Sequence, residues 1–209
     1  MAVIKSGATS DQLTIGATNK AARVCDYNEG GREVSFESKA TFMASGTFTP
    51  AAMPTDLVTI FGSASKMVRL ESFVIVTTNT AAGSQQFFLI KRSSANSGGT
   101  PVAATAVQMD SSDAAATATV QHYTANPASL GTSAGTINTK RVATPAAIPA
   151  TWEGITPDAG YEMIPGSGGS NVDKHPILRG VAQGLCLNFN SVALVAGQTH
   201  AYTLVWTEE

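Results

Sequence analysis

Charge is scarce in this sequence. Only 13% of the 209 residues are Asp, Glu, Lys or Arg, about half the usual share. The 13 basic and 15 acidic residues leave a net charge of −2, which excludes the basic footprint of a nucleic-acid binder or a polybasic membrane-surface protein. There are two cysteines, Cys25 and Cys186, far apart and in no metal-ligand spacing, so nothing implies zinc. They read as buried free thiols in a reducing compartment, with a long-range disulfide as the alternative. No apolar run approaches the length of a membrane span. The run Ala2, Val3, Ile4 is too short for a signal peptide, so synthesis and folding in a cytoplasm are expected.

What is present is apolar and small. The hydrophobic fraction is 43% and the mean hydropathy +0.06, too apolar and too weakly charged for a disordered chain. Ala, Ser, Thr and Gly together supply 95 residues, nearly half the chain. Thr, Val and Gly replace the Lys and Glu pairs of a helical surface, which favours an all-β protein with a hydroxyl-rich exterior. Such an exterior is cheap to bury, because removing it from water strands few charges, and this suggests extensive subunit contacts.

Along the chain, residues 1–40 show short apolar pairs between polar turns, too little apolar area to fold alone, and read as an N-terminal arm. Residues 41–209 read as one domain of strands at short intervals. Residues 41–49 place Phe42, Ala44, Gly46 and Phe48 on one face. Strands 57–61 and 67–76 are joined by Gly62-Ser63-Ala64-Ser65, which reads as a hairpin turn. In the second of them Val68, Leu70, Ser72, Val74 and Val76 share one side, and the half containing Phe73 and Ile75 is expected to be buried on both. Further strands are expected at 85–92, 101–109, 116–123, 137–142, 177–181, 185–189 and 199–207, the last with His200, Tyr202, Leu204 and Trp206 on one side. Residues 144–165, with four prolines, Trp152 and Tyr161, read as a long irregular connection. The pattern predicts an antiparallel β-sandwich of the jelly-roll kind with an extended N-terminal arm.

Acid–base chemistry would have to pass through three histidines. His122 and His200 fall inside strands beside tyrosines and read as structural; His175, between Lys174 and Pro176, reads as a solvated loop residue. No nucleophile on a strand-to-helix turn is expected, and no catalytic set, metal site or cofactor is expected. Glu153, Asp158 and Glu162 lie around Trp152 and Tyr161, which makes that loop a possible glycan-binding surface and a weaker glycosidase candidate. Turn chemistry explains both the sequence Glu153-Gly154 and the loop Asp110-Ser111-Ser112-Asp113 better than catalysis or calcium does. Residues 166–170 are Gly-rich without the Lys-Thr or Lys-Ser of a phosphate loop and read as a mobile loop. Lys91, Arg92, Lys140 and Arg141 form at most a small cationic patch at strand ends, suited to solvent or an acidic partner subunit.

Three stretches together carry a resemblance: Ile4-Lys5-Ser6-Gly7 through Lys20-Ala21-Ala22-Arg23-Val24, then Thr77-Thr78-Asn79-Thr80-Ala81-Ala82-Gly83-Ser84-Gln85-Gln86, and Ala196-Gly197-Gln198-Thr199-His200-Ala201-Tyr202. The chain resembles the small β-rich structural proteins of tailed bacteriophages, which decorate or cement a capsid or form head and tail fibres. The resemblance implies a non-enzymatic virion protein on the capsid surface that binds the major capsid protein and copies of itself, as a homotrimer, and stabilises the head. Neither nucleic acid nor membrane is an expected partner. Ile4, Leu13, Ile15 and Val24 would be the apolar anchors of the arm. Fully extended at about 3.3 Å per residue, the arm would reach on the order of 130 Å, enough to cross onto a neighbour. The alternative is a fibre or receptor-binding module that touches a glycan through Trp152 and Tyr161.

Overall fold

The computed structural model describes residues 26–27, 33–34, 39–144, 161–162 and 175–209. Backbone proximity divides the chain into two units, Met1–Ser38 and Lys39–Glu209. In the first, β1 (Asp26–Tyr27) pairs antiparallel with β2 (Glu33–Val34).

The second unit is a sandwich of two antiparallel sheets, with no helix among the described residues. In chain order its strands are β3 (Ala40–Phe48), β4 (Asp56–Phe61), β5 (Met67–Thr78), β6 (Gly83–Arg92), β7 (Thr100–Ala103), β8 (Val107–Gln108) and β9 (Thr119–Ala125). They are followed by β10 (Ser133–Thr144), β11 (Tyr161–Glu162), β12 (Ile177–Arg179), β13 (Gly184–Asn188) and β14 (Thr199–Glu208). One sheet runs β11-β5-β14-β3-β8, with β12 also on β5, and the other β10-β6-β13-β4-β9-β7. Alternation drives the arrangement. Phe42, Leu70, Phe73, Ile75, Leu204 and Trp206 of the first sheet share one buried core with Val58, Ile60, Phe87, Leu89, Leu185 and Leu187 of the second. Each such side chain contributes about 1.5–3 kcal/mol relative to exposure. Strand β14 is hydrogen-bonded to β3 on one side and β5 on the other, and His200, Tyr202, Leu204 and Trp206 all point inward as their spacing predicts.

Three expectations are corrected. Residues 62–66 are a crossover and not a hairpin: the Ser63 hydroxyl accepts the N–H groups of Ser65 and Lys66 at 3.1 Å as in a tight turn, but β4 and β5 lie in different sheets. Both edges of β4 are already occupied by β13 and β9, so β5 has no place beside it. Within β5 the register slips between Leu70, opposite Trp206, and Ser72, opposite Val205. This bulge at Glu71 turns Phe73, Ile75 and Thr77 inward and leaves Val76 38% exposed, so the far half is buried on one face only. Residues 101–109 are two short strands in different sheets, β7 on β9 and β8 on β3, and the segment between them crosses one side of the sandwich.

Candidate interaction surface

Two of the three histidines are core residues. His200 is fully buried; its Nδ1 lies 2.9 Å from the Thr77 hydroxyl, and its ring stands edge-on to Phe87 and Phe189. Burial lowers its pKa to about 4. His122 stacks on Phe48 at 4.6 Å, with Nδ1 3.2 Å from the Tyr202 hydroxyl. Burial also lowers the His122 pKa and pushes the Tyr202 phenol up to about 12. His175, expected in solvent, is half-buried instead, with Nδ1 3.2 Å from the Leu70 carbonyl and 3.4 Å from the Glu71 carboxylate.

The expected cationic patch is not formed. Arg92 is buried and donates through Nε and Nη2 to the two oxygens of Asp56, each at 2.7 Å, and through Nη1 to the Gly131 carbonyl at 2.6 Å. Asn96 and Asn188 complete the carboxylate shell at 2.7 and 2.6 Å. Lys91 donates to the Ile177 carbonyl at 3.0 Å. In the β6–β10 ladder, Lys140 and Arg141 sit opposite Phe87 and Gln86, well along the strand from Arg92. Segments 93–99 and 126–132, bridged at Ser97 and Ser129, are tied to this network through Asn96 and Gly131. Cys186 is buried beside it, and burial first, then the Asp56 carboxylate, pushes its thiol well above the ordinary range.

At the end where the chain terminates, Glu209 pairs with Lys39 and Arg69, and the buried carboxylate of Glu208 lies 3.6 Å from Lys66. At the other end lie three crossovers between the sheets: residues 49–55 join β3 to β4, 79–82 join β5 to β6, and 189–198 join β13 to β14. None of the three contains Asp, Glu, Lys or Arg. They are stitched together by backbone hydrogen bonds: Phe189, Ser191 and Leu194 donate to the carbonyls of Thr55, Pro54 and Ala52, and Thr80 donates to that of Ala196. Asn126 braces them, accepting from the Thr55 N–H at 3.0 Å and donating to the Met53 carbonyl at 2.9 Å. Gln85 and Gln198 exchange side-chain hydrogen bonds beneath. At the rim of this end Arg141 donates to the Ser84 hydroxyl at 3.3 Å, while on the crossovers themselves Met53 and Val192 are 56% and 50% exposed.

Ile4, Leu13, Ile15, Val24 and Trp152, as well as Cys25 and residues 166–170, lie outside the described residues. Tyr161 belongs to β11, its backbone paired with Ile75 in a sheet and not in an irregular loop. Sequence reading missed the crossover end because its loops are separated by up to about 140 positions; the available signal was the lack of charge in each of them. No family model, curated protein or solved structure matches the chain. Among the described residues no helix is long and apolar enough to cross a membrane.

Proposed function

We propose that this protein is a non-enzymatic structural protein of a tailed-phage virion, a decoration or cement protein whose sandwich seats on the major capsid protein. The observation that carries the reading is the crossover end: three loops that contain no charged residue, preorganised by their own hydrogen bonds, that present Met53 and Val192. Docking these loops strands no charged residue of their own and orders little chain, which lowers two of the costs of association. The sequence resemblance supplies the identity of the partner and the trimeric assembly, and the N-terminal arm with Ile4, Leu13, Ile15 and Val24 would add contacts to neighbouring subunits. A jelly-roll form of the sandwich belongs to the same reading.

The test is to mix the purified chain with undecorated capsids of the phage that encodes it and count bound copies. A fixed, saturable number per shell is expected. Met53→Asp combined with Val192→Asp should abolish binding while leaving the melting temperature within about 2 °C, since both positions are exposed. Unchanged occupancy by that variant removes the crossover end from the contact. A protein that ignores capsids and binds cell-surface glycans, with binding lost in Trp152→Ala, overturns the decoration reading in favour of a fibre module.

A further inference from the structure

We propose that the crossover end is an acid-released latch, in which protonation of the imidazoles of His200 and His122, one on each sheet, frees the start of β14 while the opposite end of the core stays closed. The two rings come from β14 and β9, strands of opposite sheets, and both lie against Phe48 at the end of β3, with ring centroids 5.8 and 4.6 Å from its own. They sit next to the crossovers, since Phe48 is the last position of β3 before the 49–55 crossover and Thr199, beside His200, is the first position of β14 after the 189–198 crossover.

Among the described residues no anionic group faces either imidazole. Around His200, β5 presents the Thr77 hydroxyl, β6 the Phe87 ring, the segment after β13 the Phe189 ring, and β3 the Phe48 ring. Around His122 the contacts are Phe48 and the Tyr202 hydroxyl. The titratable groups of the cluster are therefore the two histidines and Tyr202, which stays neutral throughout the acid range. Among the described residues no carboxylate acts on either imidazole, and burial is the cause that depresses both. The Asp56–Arg92 pair is satisfied within its own network. Nε2 of His200 is buried and has no hydrogen-bond partner among the described residues, so a proton arriving there meets no acceptor unless the strand opens.

The direction follows from linkage. The folded His200 pKa of about 4 lies below the ordinary 6.5, so the open state binds more protons between these values. Closure is at full strength above pH 6.5 and weakens as the pH falls towards 4. Between pH 7.5 and 5.0 these two values predict an increase of about thirty-fold in the opening constant from His200 alone.

The test is amide hydrogen exchange of the full chain at pH 7.5 and 5.0, corrected for the intrinsic pH dependence of exchange. Opening of the amides of residues 199–203 and 77–78 should increase by ten-fold or more at pH 5.0, while residues 204–207, beside the stacked Trp206 and Phe42, keep their protection. His200→Gln, which retains a partner for the Thr77 hydroxyl and cannot be protonated, should remove most of the change, and His200→Gln with His122→Gln all of it. Equal protection at both pH values overturns the latch, as does a uniform loss along β14 or an undiminished response in the double variant. The imidazole proton shifts of the unmodified chain give a second readout. His200 should titrate below pH 5 together with local opening, and titration near 6.5 in an intact fold overturns the proposal even if a variant fails to fold.

Discussion

The buried carboxylate of Glu208 accepts the backbone N–H groups of Thr117 and Ala118, each at 2.9 Å, across some ninety residues of sequence. The Thr117 hydroxyl donates to the same carboxylate at 2.6 Å, and the Trp206 indole N–H does so at 3.2 Å. The penultimate residue of the chain thereby pins the strandless approach to β9 onto the end of β14. Burial alone would raise the Glu208 pKa, but the bonds from Thr117, Ala118 and Trp206 prevail and hold it below the ordinary carboxylate range.

Glu208→Ala should therefore destabilise the domain by about 2–4 kcal/mol, because it leaves two backbone donors and an indole N–H without their acceptor. Urea unfolding at pH 7 measures this. The carboxylate's contribution is fully present above the ordinary carboxylate range and is lost as the pH falls through its lowered folded value, so the gap between native and variant stability should narrow with acid.

The Asp56–Arg92 pair makes a non-additive prediction. Arg92→Leu alone strands a buried carboxylate and should cost about 3–5 kcal/mol, whereas Asp56→Leu with Arg92→Leu should cost less than the sum of the two single changes. A double-mutant cycle by chemical denaturation gives the coupling, and additivity of the single changes would refute the pair as a unit.

Cys186 should resist thiol reagents in the native state. In a Cys25→Ser background, labelling by a maleimide at pH 7.5 is expected only in denaturant, because the thiol is buried and its ionisation suppressed. Rapid native labelling would show that segments 93–99 and 126–132 do not seal this face.

Gly131 tests those segments directly. A Cβ at this position would lie 1.8 Å from the Ser94 carbonyl oxygen, against backbone that cannot give way. Gly131→Ala should separate the two segments, disturb the bonds from Arg92 and Asn96, lower the melting temperature by several degrees, and make Cys186 reactive.

Local alternation set much of this architecture in advance. The inward face of β14, the inward residues Phe42, Ala44 and Phe48 of β3, and the existence of most strands follow from period-two patterning, because each strand must place its apolar side in the core whatever its partners are. The charge-poor loops were equally visible, one by one. Tertiary structure decided which strand goes to which sheet: the turn at Ser63 has the same local chemistry whether the next strand returns beside β4 or crosses to the other layer, and occupation of both β4 edges settles it. It also decided the bulge at Glu71, which moved Phe73 and Ile75 to the inner face. It took Arg92 from an expected surface patch into a buried pair with Asp56, since a side chain's partner depends on strands that are neighbours only in space. The same reason hid the crossover end and the two imidazoles around Phe48, for both are assembled from segments brought together by sheet pairing alone.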